Sequence, residues 1–357
     1  MNLTRFEAIT SRYPSLRLAV VGDFCLDRYF DIDPARSEIS IETNLPVHNI
    51  TRVRCQPGGA GTILNNLVAL GVGELRPVGF CGDDGEGWEL RRALAALPGV
   101  KLDGFLTTPE RHTFTYSKPL LHRAGQPPEE LSRLDLKNWT ETPKELQKQL
   151  ARKLTGTCLS EPSLDADRRL PQQTKPVDGL IVLDQVDIAG TGVVSHWLLH
   201  AVGLIRHAYS ENKARCPIVA DSRRGLREWP HVIFKMNAKE LGALAGAPVD
   251  SLDEIKAACA SMAKTNGQPA FVTLAERGIV GAMPSGEVEH VPSLPVRGPI
   301  DIVGAGDSVT ANLTAALAAG ATIREAMELA MAAASIVIHQ LGTTGTASVA
   351  QLRKVLF

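Results

Sequence analysis

Apolar residues fall in short unbroken runs along this chain, and most of the runs stop at a polar residue or a glycine. Leu16 to Gly22 is the first, followed by Pro77 to Phe80, Gly179 to Leu183, Pro217 to Ala220, Val232 to Lys235 and Ala270 to Leu274. Runs this short, without alternation, are the pattern of strands covered on both faces, as in a parallel sheet. Stretches of helical spacing separate them: Asn65 to Leu70, a segment reaching Leu97, Thr142 to Leu154, Val193 to Ala208 and Leu252 to Lys264. The repeated order of strand, polar residue and helix predicts a doubly wound α/β fold. Ser37 to Arg54 behaves differently. Its apolar residues alternate (Ile39, Ile41, then Val47, Ile50, Val53), which predicts two or three antiparallel strands inserted before the first main helix. They form either a small lid over a site or an edge extension of the main sheet. Thr107 to Leu136 alternates weakly and adds strands, Thr113 to Ser117 among them. Thr155 to Pro176 is polar, carries three prolines and predicts a flexible surface insertion.

The 357 residues leave room for one large domain or two smaller ones. No strong boundary interrupts the alternation, so residues 1–357 are taken as a single domain. Hydrophobic residues make up 44% and charged residues 22%, with a net charge of −1. A general nucleic-acid binder would need a basic face, so that class is disfavoured. No apolar run reaches membrane-spanning length. Met1 to Leu16 is polar and mixed in charge, unlike a secretory signal. The six cysteines form no Cys-x-x-Cys pair, which argues for reduced thiols in a cytoplasmic protein and against a zinc site.

The chemistry concentrates in Asp301-Ile302-Val303-Gly304-Ala305-Gly306-Asp307, ahead of an Ala- and Leu-rich helix expected over Ser308 to Ala319 and closed by Gly320. Small residues at a helix N-terminus let backbone N–H groups approach an anion, and the helix end adds partial positive charge. Asp307 at such a place has two readings. It caps the helix, or it is a general base for a hydroxyl attacking a phosphoryl group. Other strand ends carry further candidates. Asp23 and Asp27 follow the first strand, where ligands of open α/β sheets sit. Gly58-Gly59 opens the first main helix. Asn237 and Glu240 share one face of a first helical turn, either to serve a Mg²⁺–phosphate shell or to form a capping box. Thr273 and Gly278 flank a turn that accepts a nucleotide phosphate or is merely a turn. Neither a Walker motif nor a dinucleotide fingerprint is present.

Four of these elements, Gly22-Asp23, Gly58-Gly59, Asn237-x-x-Glu240 and Asp301-x-x-Gly304-Ala305-Gly306-Asp307, resemble in identity and order the motifs of the ribokinase-like, PfkB-type carbohydrate kinases. The resemblance spans about Leu16 to Phe357. The stretches Val21-Gly22-Asp23-x-x-Leu26-Asp27-Arg28-Tyr29, Ile39-Ser40-x-Glu42-x-x-x-Pro46-Val47 and Pro57-Gly58-Gly59-Ala60 look most like the heptose-phosphate kinases of the RfaE/HldE type. The resemblance implies a doubly wound, mostly parallel sheet with a β lid over 37–54 and part of 107–136, and an ATP- and Mg²⁺-dependent sugar kinase. Asp307 would be the base, and Gly304, Ala305 and Gly306 the anion hole. Asn237 and Glu240 would serve Mg²⁺ through water, and Thr273 and Gly278 the nucleotide. Asp23, Asp27, Gly58, Gly59 and Thr62 would hold a sugar or sugar phosphate. Asp301, Val303, Gly342 and Thr346 fall where such kinases bind a monovalent cation such as K⁺, and the lid would pair two copies into a homodimer. The chain departs from the pattern at Thr62, Val303 and Met331, and in Asp184-Gln185-Val186-Asp187-Ile188, where heptose kinases carry Asp-Tyr-x-Lys-Gly. A kinase for fructose, ribose or adenosine, or a non-catalytic sugar- or nucleotide-binding regulator, are the other readings.

Overall fold

The computed structural model describes residues 1–159 and 176–357. Helix α1 (Leu3–Thr10) precedes strands β1 (Arg17–Gly22) and β2 (Phe24–Ile32). Then come β3 (Glu38–Ile39), β4 (Pro46–Val47), β5 (Ile50–Gly59) and α2 (Ala60–Ala69). Next are β6 (Glu74–Gly82), α3 (Gly85–Ala95), β7 (Phe105–Thr108), β8 (Phe114–Leu121), β9 (Glu129–Glu130), β10 (Leu134–Leu136) and α4 (Lys144–Cys158). Beyond residue 176 follow β11 (Gly179–Asp184), α5 (His196–Glu211), β12 (Ile218–Ser222), β13 (Ile233–Asn237), α6 (Ala238–Ala245) and α7 (Leu252–Asn266). The chain finishes with β14 (Ala270–Thr273), β15 (Ile279–Ala282), β16 (Val288–Val291), α8 (Ala305–Ala318), α9 (Ile323–Val337) and α10 (Val349–Leu356).

Nine strands form one sheet in the order β16-β15-β14-β13-β12-β11-β1-β6-β7. The pairs from β14 across to β7 are parallel, and β15 and β16 close one edge antiparallel. The apolar runs are central because helices cover both faces. Along β1, Leu18 and Val20 pack into a core with Phe6, Ile63, Leu67, Leu313 and Met327, whereas Ala19 and Val21 pack into a second core with Leu150, Leu198, Ile205 and Ile255. The predicted doubly wound architecture is therefore present. Among the described residues no helix is long and apolar enough to cross a membrane, and all six cysteines are free.

The lid is larger than the alternation in 37–54 predicts. A second sheet has the order β10-β8-β2-β5, with β9 on β8, and its long central strand β2 begins two residues after β1 ends. From the sequence, Asp23 and Asp27 are placed after the first strand and Phe24–Ile32 is assigned no element of its own. This segment is a strand because β5 and β8 satisfy its backbone on either side. Residues 38–47 form only a small separate hairpin. Two further boundaries move. Helix α8 begins at Ala305, three residues before the expected start, and α4 runs to Cys158, absorbing the start of the expected 155–176 insertion. Residues 160–175 of that insertion lie outside the described residues.

Candidate active site

Gly304 is the N-cap of α8, in the left-handed region at φ 81°, and no side chain caps the helix. A Cβ on Gly304 would sit 2.5 Å from the Thr344 methyl, so this turn requires glycine. The Ala305 amide donates to the Ile302 carbonyl at 3.2 Å, and among the described residues the amides of Gly306 and Asp307 have no hydrogen-bond partner, so these two are open to an anion. Asp307 lies in that first turn and is half-buried. It is not the cap, and among the described residues no hydrogen bond engages its carboxylate. Burial pushes its carboxyl up to about 7; Asp221 adds to the rise, while Lys235 and Arg223 oppose it. A carboxyl poised near neutrality beside free amides suits proton transfer.

Three residues complete this corner that sequence reasoning did not single out as functional. Lys235, in β13, is buried and donates to Asp221 at 2.7 Å. Thr310, on α8, donates to the same Asp221 oxygen at 3.0 Å. A Cβ on Gly306 would lie 3.3 Å from the Lys235 ammonium, which places that charge against the anion hole. Burial alone would lower the ammonium, but Asp221 outweighs it and holds Lys235 charged. The available signal was a lysine inside an otherwise apolar strand, two residues before Asn237. Its partners, at 221 and 310, are distant in sequence.

Asp27 lies on β2, in the second sheet. Its Oδ1 lies 3.2 Å from the Lys118 ammonium, and both side chains are largely buried. Burial raises the Asp27 carboxyl, against the pull of Lys118. Gly58 covers it so closely that a Cβ there would stand 2.6 Å from Asp27 Oδ2. Gly59 (φ 57°) turns the chain into α2, where its Cβ would meet the Asp23 carbonyl oxygen at 2.5 Å. Thr62, in the first turn of α2, is buried, and its methyl is 3.5 Å from a Cβ on Gly304, so the start of α2 abuts the start of α8.

Asp23 is placed differently from the expectation. It is buried, and its two oxygens accept from the amides of Val193 at 2.6 Å and Gln185 at 2.8 Å. Burial and then Asp184 push its carboxyl up to about 6, against those bonds. Its oxygens hold the 184–193 loop onto β1. Lys118, which sequence reasoning did not single out, stands beside Asp27.

At the start of α6 Asn237 and Glu240 form the capping box: Asn237 Oδ1 accepts from the Glu240 amide at 2.9 Å, and Glu240 Oε2 from the Asn237 amide at 2.8 Å. This rigid start of α6 leaves the second Glu240 oxygen and the Asn237 amide nitrogen outside the box. Thr273 donates to the Met236 carbonyl at 3.3 Å. Gly278 (φ 93°) admits no Cβ, which would be 2.1 Å from Val291 O. Of the expected cation ligands, Asp301 Oδ1 already accepts from the Val303 amide at 3.0 Å and the Thr346 carbonyl from Gln340 at 2.7 Å; Gly342 sits at φ 68°.

Residues 186–350 match the pfkB family carbohydrate kinases. The bifunctional protein HldE of Gluconacetobacter diazotrophicus is 30% identical over 348 residues, covering 95% of this chain, and that of Rhodospirillum rubrum is 31% identical over 342 residues. The chain spans 63% and 61% of those two relatives, less than two thirds of their length. Among solved structures, Arabidopsis thaliana ribokinase complexed with ribose and ATP superposes with a TM-score of 0.66 at 19% identity, covering 96% of this chain and 98% of that one. Escherichia coli phosphofructokinase-2 in complex with fructose-6-phosphate gives 0.65 at 18%, covering 95% and 98%. The sequence is thus similar to the pfkB family carbohydrate kinases over residues 186–350 and to HldE relatives over most of its length, and it shares its fold with ribokinase and phosphofructokinase-2.

Proposed function

We propose that the protein is an ATP-dependent kinase that phosphorylates a hydroxyl of a sugar or sugar phosphate, of the heptose-phosphate type. The observation that carries the reading is Asp307: a carboxylate with no hydrogen-bond partner among the described residues, tuned near neutrality, in the uncapped first turn of α8 and across from Lys235.

The acceptor lies between Asp27, Lys118 and the Gly58-Gly59 turn, with one hydroxyl directed at Asp307. As that oxygen bonds to the γ-phosphorus, its proton passes to an Asp307 carboxylate oxygen, and the bond from the γ-phosphorus to the ADP oxygen breaks. The α8 amides and Lys235 stabilise charge on the transferring group, and positioning supplies much of the rest. Among the described residues no cluster of three His, Cys, Asp or Glu side chains is arranged to grip a metal. That fits a Mg²⁺ held by substrate phosphates and water, with the spare Glu240 oxygen as the protein's contribution. When bound, Mg²⁺ would neutralise phosphate charge. A K⁺ beside the anion hole would use the second lone pair of the Thr346 carbonyl, whose first is taken by Gln340. Escherichia coli phosphofructokinase-2 has been solved in complex with potassium.

A homodimer through the lid belongs to the same proposal. Ile41, Leu45 and Leu134 are exposed on the lid or its hairpin, Ile41 completely, and a second copy would cover them. The test is ADP release from ATP across a panel of sugars and sugar phosphates. Stimulation by at least one, lost in Asp307→Asn, supports the kinase. Ligands that raise thermal stability without any turnover would instead support a non-catalytic regulator.

A further inference from the structure

The site has two halves, the lid with its acceptor-side carboxylate and the α8 N-terminus with its amides. One side chain touches the connection between them. Tyr29 is buried on β2, paired with Arg54 of β5 and Lys118 of β8, and both cations stand over its ring, at 4.9 and 5.0 Å. Its hydroxyl accepts from Lys118 Nζ at 3.5 Å and from Gln56 Nε2 at 3.3 Å. Lys118 is the same ammonium that pairs with Asp27. Gln56 Oε1 in turn accepts from Thr343 Oγ1 at 3.2 Å, a bond across 287 positions of sequence. Next to Thr343, the Thr344 methyl packs beneath Gly304, the N-cap of the anion hole. The Thr344 hydroxyl is buried and has no hydrogen-bond partner among the described residues; burial and then the Asp27 charge raise the Tyr29 phenol, against Lys118 and the nearby Thr344 hydroxyl.

We propose that the Tyr29 hydroxyl is a positioning group that fastens the lid to the 341–346 loop, so that the acceptor side and the anion hole keep one register. Ring packing alone would steady the lid. Asp27 and Gln56 are also cross-strand partners, but among the described side-chain hydrogen bonds it is the phenol oxygen that joins Lys118 to Gln56 and so to Thr343. An acceptor that engages Asp27 and Lys118 would, through this junction, bias the loop that supports Gly304. The catalytic consequence rests on the kinase reading; the mechanical one does not.

Tyr29→Phe keeps the ring and both stacked cations and removes only the oxygen. Amide hydrogen exchange in full-length protein reads the mechanical part. Exchange at Leu341–Thr346 and Ala305–Asp307 should quicken roughly 3- to 30-fold, the range of coupling through such networks, while β2 and β5 stay protected. Thr343→Val should have the same effect, and the double variant should add little to either single one. Unchanged exchange at Leu341–Thr346 in Tyr29→Phe, or effects that multiply in the double variant, would overturn the proposal. With an active acceptor in hand, kcat should drop by a similar factor while the KM for ATP holds. A protein that turns over no acceptor removes the kinase reading, and the exchange result still decides the junction.

Discussion

Removing the Asp307 charge should stabilise the protein while it destroys turnover. The carboxyl stands at about 7 in the folded chain against an ordinary 3.8. The unfolded chain therefore gives up this proton more readily. The folded state loses stability as pH rises from about 4, and the loss levels off above about 7. Three pKa units at about 1.4 kcal/mol each give a ceiling of about 4 kcal/mol. Relaxation and water around a half-buried group cut that to about 2 kcal/mol. At an unfolding entropy of about 2.1 cal/mol/K per residue, a chain of 357 residues gains about 3 °C in Tm from 2 kcal/mol. Thermal scans of wild type and Asp307→Asn from pH 4 to 9 supply the test. The variant should melt higher at pH 8, and the gap should close towards pH 4. Other titrating groups, Asp23 among them, are common to both proteins and largely cancel. A variant that melts lower at pH 8, or a gap that ignores pH, would show that this carboxylate is not held at a cost, and the argument for a poised base would fail. Turnover of wild type should fall as pH drops through about 7.

Lys235→Met should cut kcat about 10²–10³-fold, as removal of an oxyanion donor does, with ADP affinity nearly unchanged; a variant with ordinary kcat would take Lys235 out of the mechanism. Gly58→Ala, whose methyl would stand 2.6 Å from Asp27 Oδ2, should raise the acceptor KM and leave the KM for ATP alone, measured by steady-state kinetics. Asp23→Ala strands the amides of Gln185 and Val193 and should cost about 2–4 kcal/mol in denaturant unfolding. Were Asp23 a sugar ligand instead, stability would hold and the acceptor KM alone would rise.

The sequence by itself determined the architecture and the turns. Apolar runs such as Leu18 to Val21 are buried between two helical layers. Gly58 is required by the Asp27 carboxylate packed against it, whereas Gly59, Gly278 and Gly304 stand at turns of positive φ, a local backbone demand. The Asn237–Glu240 box was legible for the same reason, since its bonds close within one helical turn. Only the tertiary structure decided which charges meet. Lys235, Asp221 and Thr310 lie on β13, β12 and α8, and no spacing along the chain encodes their contact. It also turned Asp23 inward, because the amides that claim it arrive from more than 160 residues away. And it made β2 a lid strand: a segment with charges at 27, 28 and 31 lacks the apolar pattern of a strand until β5 and β8 supply the hydrogen bonds on either side. Local backbone preference is written in neighbours, whereas the pairing of buried charges depends on which distant elements the packed sheet brings side by side.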